Sequence, residues 1–114
     1  MRKQYRIKDS SEIKTVLNAR KKKADGFFSL YVRPNGLSHF RFAVSVGKKY
    51  GNAVARNKIK RQVRMVVANH VKRRLGMDIF IIIRPSATQL SYQSIEKKLK
   101  QLINAQKNLR GENS

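Results

Sequence analysis

The sequence predicts an α+β protein, a two-layer sandwich in which helices cover one face of a sheet. Two segments alternate between apolar and polar residues, one segment is an unbroken apolar run, and three more show the apolar spacing of helices. The chain has 114 residues, which suits one domain with a modest core. We therefore expect residues 1–114 to form a single domain.

The first element is predicted to be a helix that begins at Asp9 or Ser10, because either side chain can cap a helix N-terminus. Ile13 and Leu17 then lie one turn apart on an apolar face. We expect the helix to end near the basic run at residues 20–23, since positive charge is favourable at a helix C-terminus. That run is either a solvated helix end or a contact to an anionic partner.

Two strands follow, over residues 27–33 and 40–46. Each offers one apolar face and one mixed polar face, which is typical of an antiparallel sheet that is covered on one side. Pro34, Asn35 and Gly36 between them are typical turn residues, since Gly and Asn tolerate positive φ. The sequence therefore predicts a hairpin.

Two further helices flank a buried strand. A long helix is expected from about residue 52 to 75, with Gly76 as its stop. Residues 77–83 are apolar and rich in β-branched side chains, which predicts a strand buried on both faces. The last helix opens around Ser91, and residues from about 107 to 114 are polar and expected to fray. Its apolar side carries Ile95, Leu99, Leu102 and Ile103. The predicted order is αββ(β)αβα, with residues 47–51 as the uncertain third strand.

Positive charge dominates the chain and is unevenly distributed. The net charge is +21, from 27 Lys and Arg against 6 Asp and Glu. Residues 26–77 contain no acidic residue, whereas a soluble surface normally mixes both signs. A polyanion is therefore the expected partner, with nucleic acid the leading class and an anionic membrane surface the competing one.

Several protein classes are excluded by what the sequence lacks. No stretch approaches the roughly 20 apolar residues that a spanning helix needs, and the first residues lack the apolar region of a signal peptide. Cys is absent, so disulfides, thiolate zinc sites and a cysteine nucleophile are excluded. We expect a soluble, cytoplasmic protein.

The long helix carries the most informative motif. Arg56, Lys60 and Arg64 lie one turn apart on a single stripe, beside the apolar Ile59 and Val63. Like charges at this spacing are mutually destabilising by a few tenths of a kcal/mol, and a phosphate backbone would compensate them. The alternative is a solvated, charged helix face. The predicted RNA-binding residues are Lys48, Lys49, Arg56, Asn57, Lys58, Lys60, Arg61 and Arg64.

This motif resembles the signature of the bacterial ribonuclease P protein component, which reads roughly R-N-x-x-K-R-x-x-R. Residues 56–64 read RNKIKRQVR, preceded by SVGKKYGNAV at residues 45–54. The similarity extends to YRIK at residues 5–8 and IIIRP at residues 81–85. The resemblance implies a two-layer αβββαβα sandwich with a left-handed βαβ crossover, similar to the second domain of ribosomal protein S5 and contrary to the usual right-handed rule.

The same resemblance implies the function. The chain would be the protein subunit of ribonuclease P, an endoribonuclease whose catalytic centre lies in its RNA, and would help remove the 5′ leader from precursor tRNA. Its partners would be the catalytic RNA and precursor tRNA, with one protein per RNA and no membrane.

A cleft for the single-stranded 5′ leader is also implied by the resemblance. Carried over by position, its residues are Ile13, Leu17, Ser29, Tyr31 and Ser45. The first two are often Phe in the family, so the aliphatic side chains here remove stacking worth roughly 1–3 kcal/mol per base. Tyr31 remains as a stacking platform. Phe27 either shares that face or covers an edge of the core.

No protein-based catalytic site is indicated. A nuclease needs clustered carboxylates for metal ions or a His placed for acid–base work. The acidic residues are scattered: Asp9, Glu12, Asp25, Asp78, Glu96 and Glu112. His39 falls at the expected hairpin end, and His70 near the apolar side of the long helix suggests a packed residue. We expect no cofactor on the protein alone, with magnesium held mainly by RNA and substrate phosphates.

Two other classes share part of this pattern. A ribosomal or architectural RNA-binding protein would have the same charge and a compact α+β fold. A membrane-surface module would need a basic amphipathic helix with exposed aromatic residues, and the long helix has none.

Overall fold

Two helices pack on one face of a four-stranded sheet in the part of the chain that the structure, a computed structural model, describes: residues 5–7 and 22–106. In chain order the strands are β1 (Lys22–Ala24), β2 (Phe28–Pro34), β3 (Arg41–Val46) and β4 (Met77–Ile83), and the helices are α1 (Ala53–His70) and α2 (Tyr92–Ala105). Short 3₁₀ helices, Lys48–Tyr50 and Pro85–Gln89, precede α1 and α2, so residues 47–51 do not form the possible third strand, which is β1 instead. The predicted N-terminal helix and the polar tail lie outside the described residues. The α+β fold class is confirmed.

Strand β4 occupies the centre of the sheet, whose order is β1-β2-β4-β3. It is antiparallel to β2 and parallel to β3, so the predicted hairpin between β2 and β3 is wrong. Strand β4 lies between them, and its apolar residues are buried on both faces, as is typical of a strand in a sheet that is covered on both sides. The parallel pair is joined through α1, which forms a βαβ crossover. Its left-handedness stays a prediction from the resemblance.

The basic residues Lys22 and Lys23 belong to a strand rather than to a helix end. Strand β1 pairs antiparallel with β2 through a tight turn. The backbone N–H groups of Phe27 and Phe28 donate to Asp25 Oδ1 at 2.9 and 3.0 Å, and Gly26 has φ of 89°. Asp-Gly is a strong hairpin signal, so Asp25-Gly26 in the sequence already indicates this turn.

Helix α1 is shorter than predicted and ends at His70 instead of near residue 75. Asn52 caps its start, because the side chain accepts from Ala55 N at 2.9 Å. At the other end Val71 is buried and extended, so the chain leaves the helical path in order to enter the core. Gly76 is needed for a different reason than predicted: a Cβ there would lie 2.5 Å from the carbonyl oxygen of Leu37.

The main core lies between the sheet and the two helices. The predicted alternation places Phe28, Leu30 and Val32 of β2 in it, and all three are fully buried. The predicted apolar sides of both helices also face it, with buried residues Ile59, Val63, Val66, Val67, Ile95, Leu99, Leu102 and Ile103. Within the described residues, no helix is long and apolar enough to cross a membrane.

The opposite face of the sheet, called the outer face below, carries a smaller apolar cluster. Ile7 and Phe80 are buried there, with Tyr31, Ala43 and Ile82 packed around them. Strand β4 is therefore buried on both faces, as predicted.

Candidate nucleic-acid interface

The three cations of the α1 stripe, Arg56, Lys60 and Arg64, are half-buried. They flank the core-facing side of the helix, where Ile59 and Val63 are buried. The other predicted residues of this helix are exposed on its solvent side: Asn57, Lys58 and Arg61. The structure thus brings the helical part of the predicted RNA-binding set onto one continuous surface.

The two lysines that precede the helix extend this surface. Lys48 and Lys49 are exposed in a 3₁₀ helix, and the following Tyr50 is half-buried. Burial raises the pKa of Tyr50. Its hydroxyl, like that of an unperturbed tyrosine, is neutral at physiological pH and can donate as well as accept a hydrogen bond.

Acidic residues do not neutralise the stripe within the described part of the chain. Asp25 caps the turn after β1, Asp78 pairs with arginines of the sheet, and Glu96 lies 3.6 Å from His70. No carboxylate described in residues 5–7 or 22–106 forms an ion pair with the stripe. Arg56 also has a buried Nε with no hydrogen-bond partner. A row of cations with no carboxylate partner among the described residues is suited to bind a phosphate backbone.

The outer face holds the described residues of the predicted leader cleft. Tyr31 of β2 is opposite Phe80 of β4, and Ser45 of β3 is opposite Ile82. Tyr31 is half-exposed and Ser45 is exposed, with the central strand between them. The Nζ of Lys22 lies 5.7 Å from the centre of the Tyr31 ring. Ile13 and Leu17 lie outside the described residues.

Ser29 shares this face but has no surface for a ligand, since its exposure is 0%. Its Oγ accepts from Arg84 Nη2 at 3.0 Å. Arg84 is itself exposed, so its guanidinium group, and not Ser29, is accessible at this point of the outer face. Arg84 was not among the predicted site residues. The signal was its position two residues after Ile82, which places it on the same face.

Two more arginines on the outer face were not predicted as site residues. Arg41 makes a forked contact to the buried Asp78, with Nε at 2.9 Å from Oδ1 and Nη2 at 2.7 Å from Oδ2. Arg33 approaches from β2, with its Nε 3.7 Å from Oδ2. Asn35 Nδ2 donates to Oδ1 at 3.0 Å and so ties the following turn to the sheet. The single carboxylate of Asp78 therefore binds both Arg33 and Arg41, so the outer face keeps a net positive charge beside the start of β4.

The remaining predicted candidates have structural positions. Phe27 packs on the edge of the main core, with the Nζ of Lys98 4.8 Å from its ring centre. His70 lies between the helices, where its Nε2 is 3.6 Å from Glu96. His39 is not at a hairpin end but stacks edge-on against Tyr5. In the described ranges no three metal-binding side chains come together.

Comparison with known proteins decides the family. The family model described as Ribonuclease P matches residues 1–107. The ribonuclease P protein component of Staphylococcus carnosus is 37% identical over 108 residues, which cover 94% of each chain. This chain belongs to the ribonuclease P protein family. Membership makes it a component of an endoribonuclease that processes tRNA and associates with ribonuclease P RNA.

Solved structures of the family have the same fold. The ribonuclease P protein of Staphylococcus aureus is 32% identical, with a TM-score of 0.82 over 92% of this chain and 97% of that one. The protein from Thermotoga maritima, at 23% identity, has a TM-score of 0.75 over 96% and 98% of the two chains. A further Staphylococcus aureus structure, with a TM-score of 0.82 at 33% identity over 90% and 88%, is of a mutant described as defective in mRNA degradation activity.

Proposed function

We propose that this chain binds the catalytic RNA of ribonuclease P through α1 and the 5′ leader of precursor tRNA through the outer face. The observation that carries the proposal is the stripe of Arg56, Lys60 and Arg64, which no carboxylate within residues 5–7 and 22–106 neutralises, on a helix whose other side packs in the core. Catalysis resides in the RNA, and the protein raises the affinity for precursor tRNA and assists cleavage. One protein binds each RNA, in the cytoplasm.

The described residues do not fit a magnesium site that is held by the protein. Magnesium requires oxygen ligands arranged around one point. The carboxylates of Asp25, Asp78 and Glu96 lie on separate elements and already bind other groups. Magnesium in the holoenzyme is proposed to be held mainly by RNA and substrate phosphates.

Reconstitution tests the function. The protein, combined with a bacterial ribonuclease P RNA, should increase correct cleavage of precursor tRNA at magnesium concentrations too low for the RNA alone. Strong RNA binding without any gain in cleavage would indicate an architectural RNA-binding protein instead. RNA-free protein is assayed in parallel on precursor tRNA and on mRNA. Correct cleavage of precursor tRNA without RNA, after nuclease controls, would refute RNA-based catalysis.

The α1 surface is tested by the double variant Arg56→Ala/Lys60→Ala. Each lost phosphate contact should lower the log–log salt dependence of binding to the catalytic RNA by about 0.7–0.9. The helix should persist, because Ala is a good helix former. Lys97→Ala/Lys100→Ala, which removes two exposed charges from α2, is the matched control. Equal effects of the two double variants would remove α1 from the interface.

A further inference from the structure

A groove of about 440 Å³ lies beside β3, the strand at the edge of the sheet. Ala43 and Phe80 form part of its apolar lining, and the hydroxyl-bearing Ser45 also lines it. Arg6 and Arg64 contribute two guanidinium groups. Arg64 comes from the α1 stripe, whereas Arg6 was assigned no role above.

The backbone fixes Arg6 at this groove. Residues 5–7 run alongside β3, with Arg6 opposite Phe42 in a parallel bridge. The N–H of Ile7 donates to the carbonyl oxygen of Phe42 at 2.9 Å, and the Ile7 side chain is buried on the outer face. The position of Arg6 is therefore fixed by a backbone hydrogen bond and by the burial of the neighbouring Ile7 side chain.

The two arginines repel each other at this position. The pKa of Arg64 is lowered, first by burial and second by the positive charge of Arg6. Among the described residues, all three carboxylates are engaged elsewhere, by the turn after β1, by Arg41 and by His70. Two like charges that line one groove repel each other, and an anion bound between them would stabilise both.

We propose that Arg6 and Arg64 together hold one phosphodiester of bound RNA in this groove. Two guanidinium groups offer forked donors that match phosphate oxygens, and the exposed Ser45 hydroxyl is a further donor. The volume falls in the range of pockets that hold drug-sized ligands, so a sugar fits beside the phosphate. Arg6 is thus assigned as an RNA-binding residue.

This inference rests on the proposed function and makes it more specific. Arg64 belongs to the α1 surface, whereas Ser45 belongs to the outer face, so the groove lies where the two proposed RNA surfaces meet. The phosphodiester comes either from the catalytic RNA or from the 5′ leader. Both have the same chemistry, and the two arms of the experiment separate them.

The test is a double-mutant cycle with Arg6→Ala, Arg64→Ala and the double variant. One arm measures binding to the catalytic RNA, and the other measures the affinity of the holoenzyme for precursor relative to mature tRNA. In the arm that reports the true source, each single variant should weaken binding about tenfold or more, the scale of a hydrogen bond to a charged group. The affinity of the double variant should fall by less than the product of the two single fold-losses, because both arginines contact the same phosphate. Its salt dependence should fall by about 0.7–0.9, the value for one phosphate.

Controls keep the result interpretable. Lys97→Ala removes one exposed charge from α2 and should leave both arms unchanged. Arg6→Lys/Arg64→Lys keeps both charges, so it should retain the salt dependence while losing affinity with the forked donors. Thermal unfolding confirms that each variant is folded.

Two results overturn the inference. In the first, the loss of affinity in the double variant equals the product of the two single losses, and its salt dependence falls by twice the value for one phosphate. Each arginine then contacts its own phosphate. The other is an Arg6→Ala variant that behaves as wild type in both arms. If the wild-type protein neither binds the catalytic RNA nor assists cleavage, both the proposed function and this inference are wrong.

Discussion

Replacing Asp78 by Ala should destabilise the fold more than any other loss of one described carboxylate. Asp78 is fully buried at the start of β4, where it accepts two hydrogen bonds from Arg41 and one from Asn35. Arg33 lies within ion-pair distance on the other side. The variant leaves two guanidinium groups beside an apolar gap and frees the turn that Asn35 anchors.

The structure sets the size of the effect. Removing one partner of a buried ion pair costs about 3–5 kcal/mol. The Arg41 side chain is 20% exposed and gains some hydration in the variant, so we expect about 3 kcal/mol. Small domains have total stabilities of about 5–15 kcal/mol, which makes this a large share.

Urea unfolding followed by circular dichroism measures the loss. Glu96→Ala is the matched control, because it makes the same change in net charge by removing an exposed partner of His70. That surface pair should contribute at most about 1 kcal/mol. The cycle with Arg41→Ala should give a coupling energy of about 1–3 kcal/mol. A cost below about 1 kcal/mol for Asp78→Ala would refute the view that this ion pair organises the outer face.

Three further outcomes are expected. Tyr31→Ala should weaken precursor tRNA binding to the holoenzyme by about 1–2 kcal/mol, the scale of one stacking contact, and leave mature tRNA binding unchanged; an equal fall for both tRNAs would make Tyr31 a packing residue. Gly76→Ala should lower the free energy of unfolding by about 1–3 kcal/mol, because its Cβ would meet the Leu37 carbonyl at 2.5 Å; the control Gly47→Ala, where a Cβ meets nothing within 4 Å, should stay within about 0.5 kcal/mol. Sulfate should raise the thermal midpoint of the free protein more than chloride does at equal ionic strength, because a net charge of +21 opposes compaction and anions that bind the folded form stabilise it; a midpoint that ignores anion identity would contradict this.

Local patterns predicted most of the elements. Period-two alternation identified the inward residues Phe28, Leu30 and Val32, and helical spacing identified the buried side of α2. These predictions succeeded because an element buried on one face has apolar residues at the period of that element. The same logic placed Arg56, Lys60 and Arg64 beside the core rather than in it.

Long-range pairing could not be predicted in the same way. Nothing in the segments around β2 and β3 states that β4 will lie between them, since alternation records burial and not the identity of the neighbour. The end of α1 was also misplaced, because the apolar periodicity continues to Val71, which enters the core in an extended conformation. Arg6 was missed for a related reason. Arg6 becomes a candidate site residue only because Arg64, which is far along the chain, lines the same groove.

The central position of β4 determines when the sheet can form. Phe28 of β2 and Val46 of β3 both pair with Ile83, so neither strand can complete its pairing with β4 until that residue is available. During synthesis the β1–β2 hairpin emerges well before β4, and an isolated hairpin is marginally stable at best. Pairings between distant residues also slow folding. A chain interrupted before residue 77 therefore contains the whole basic stripe but cannot complete the sheet on which that helix packs.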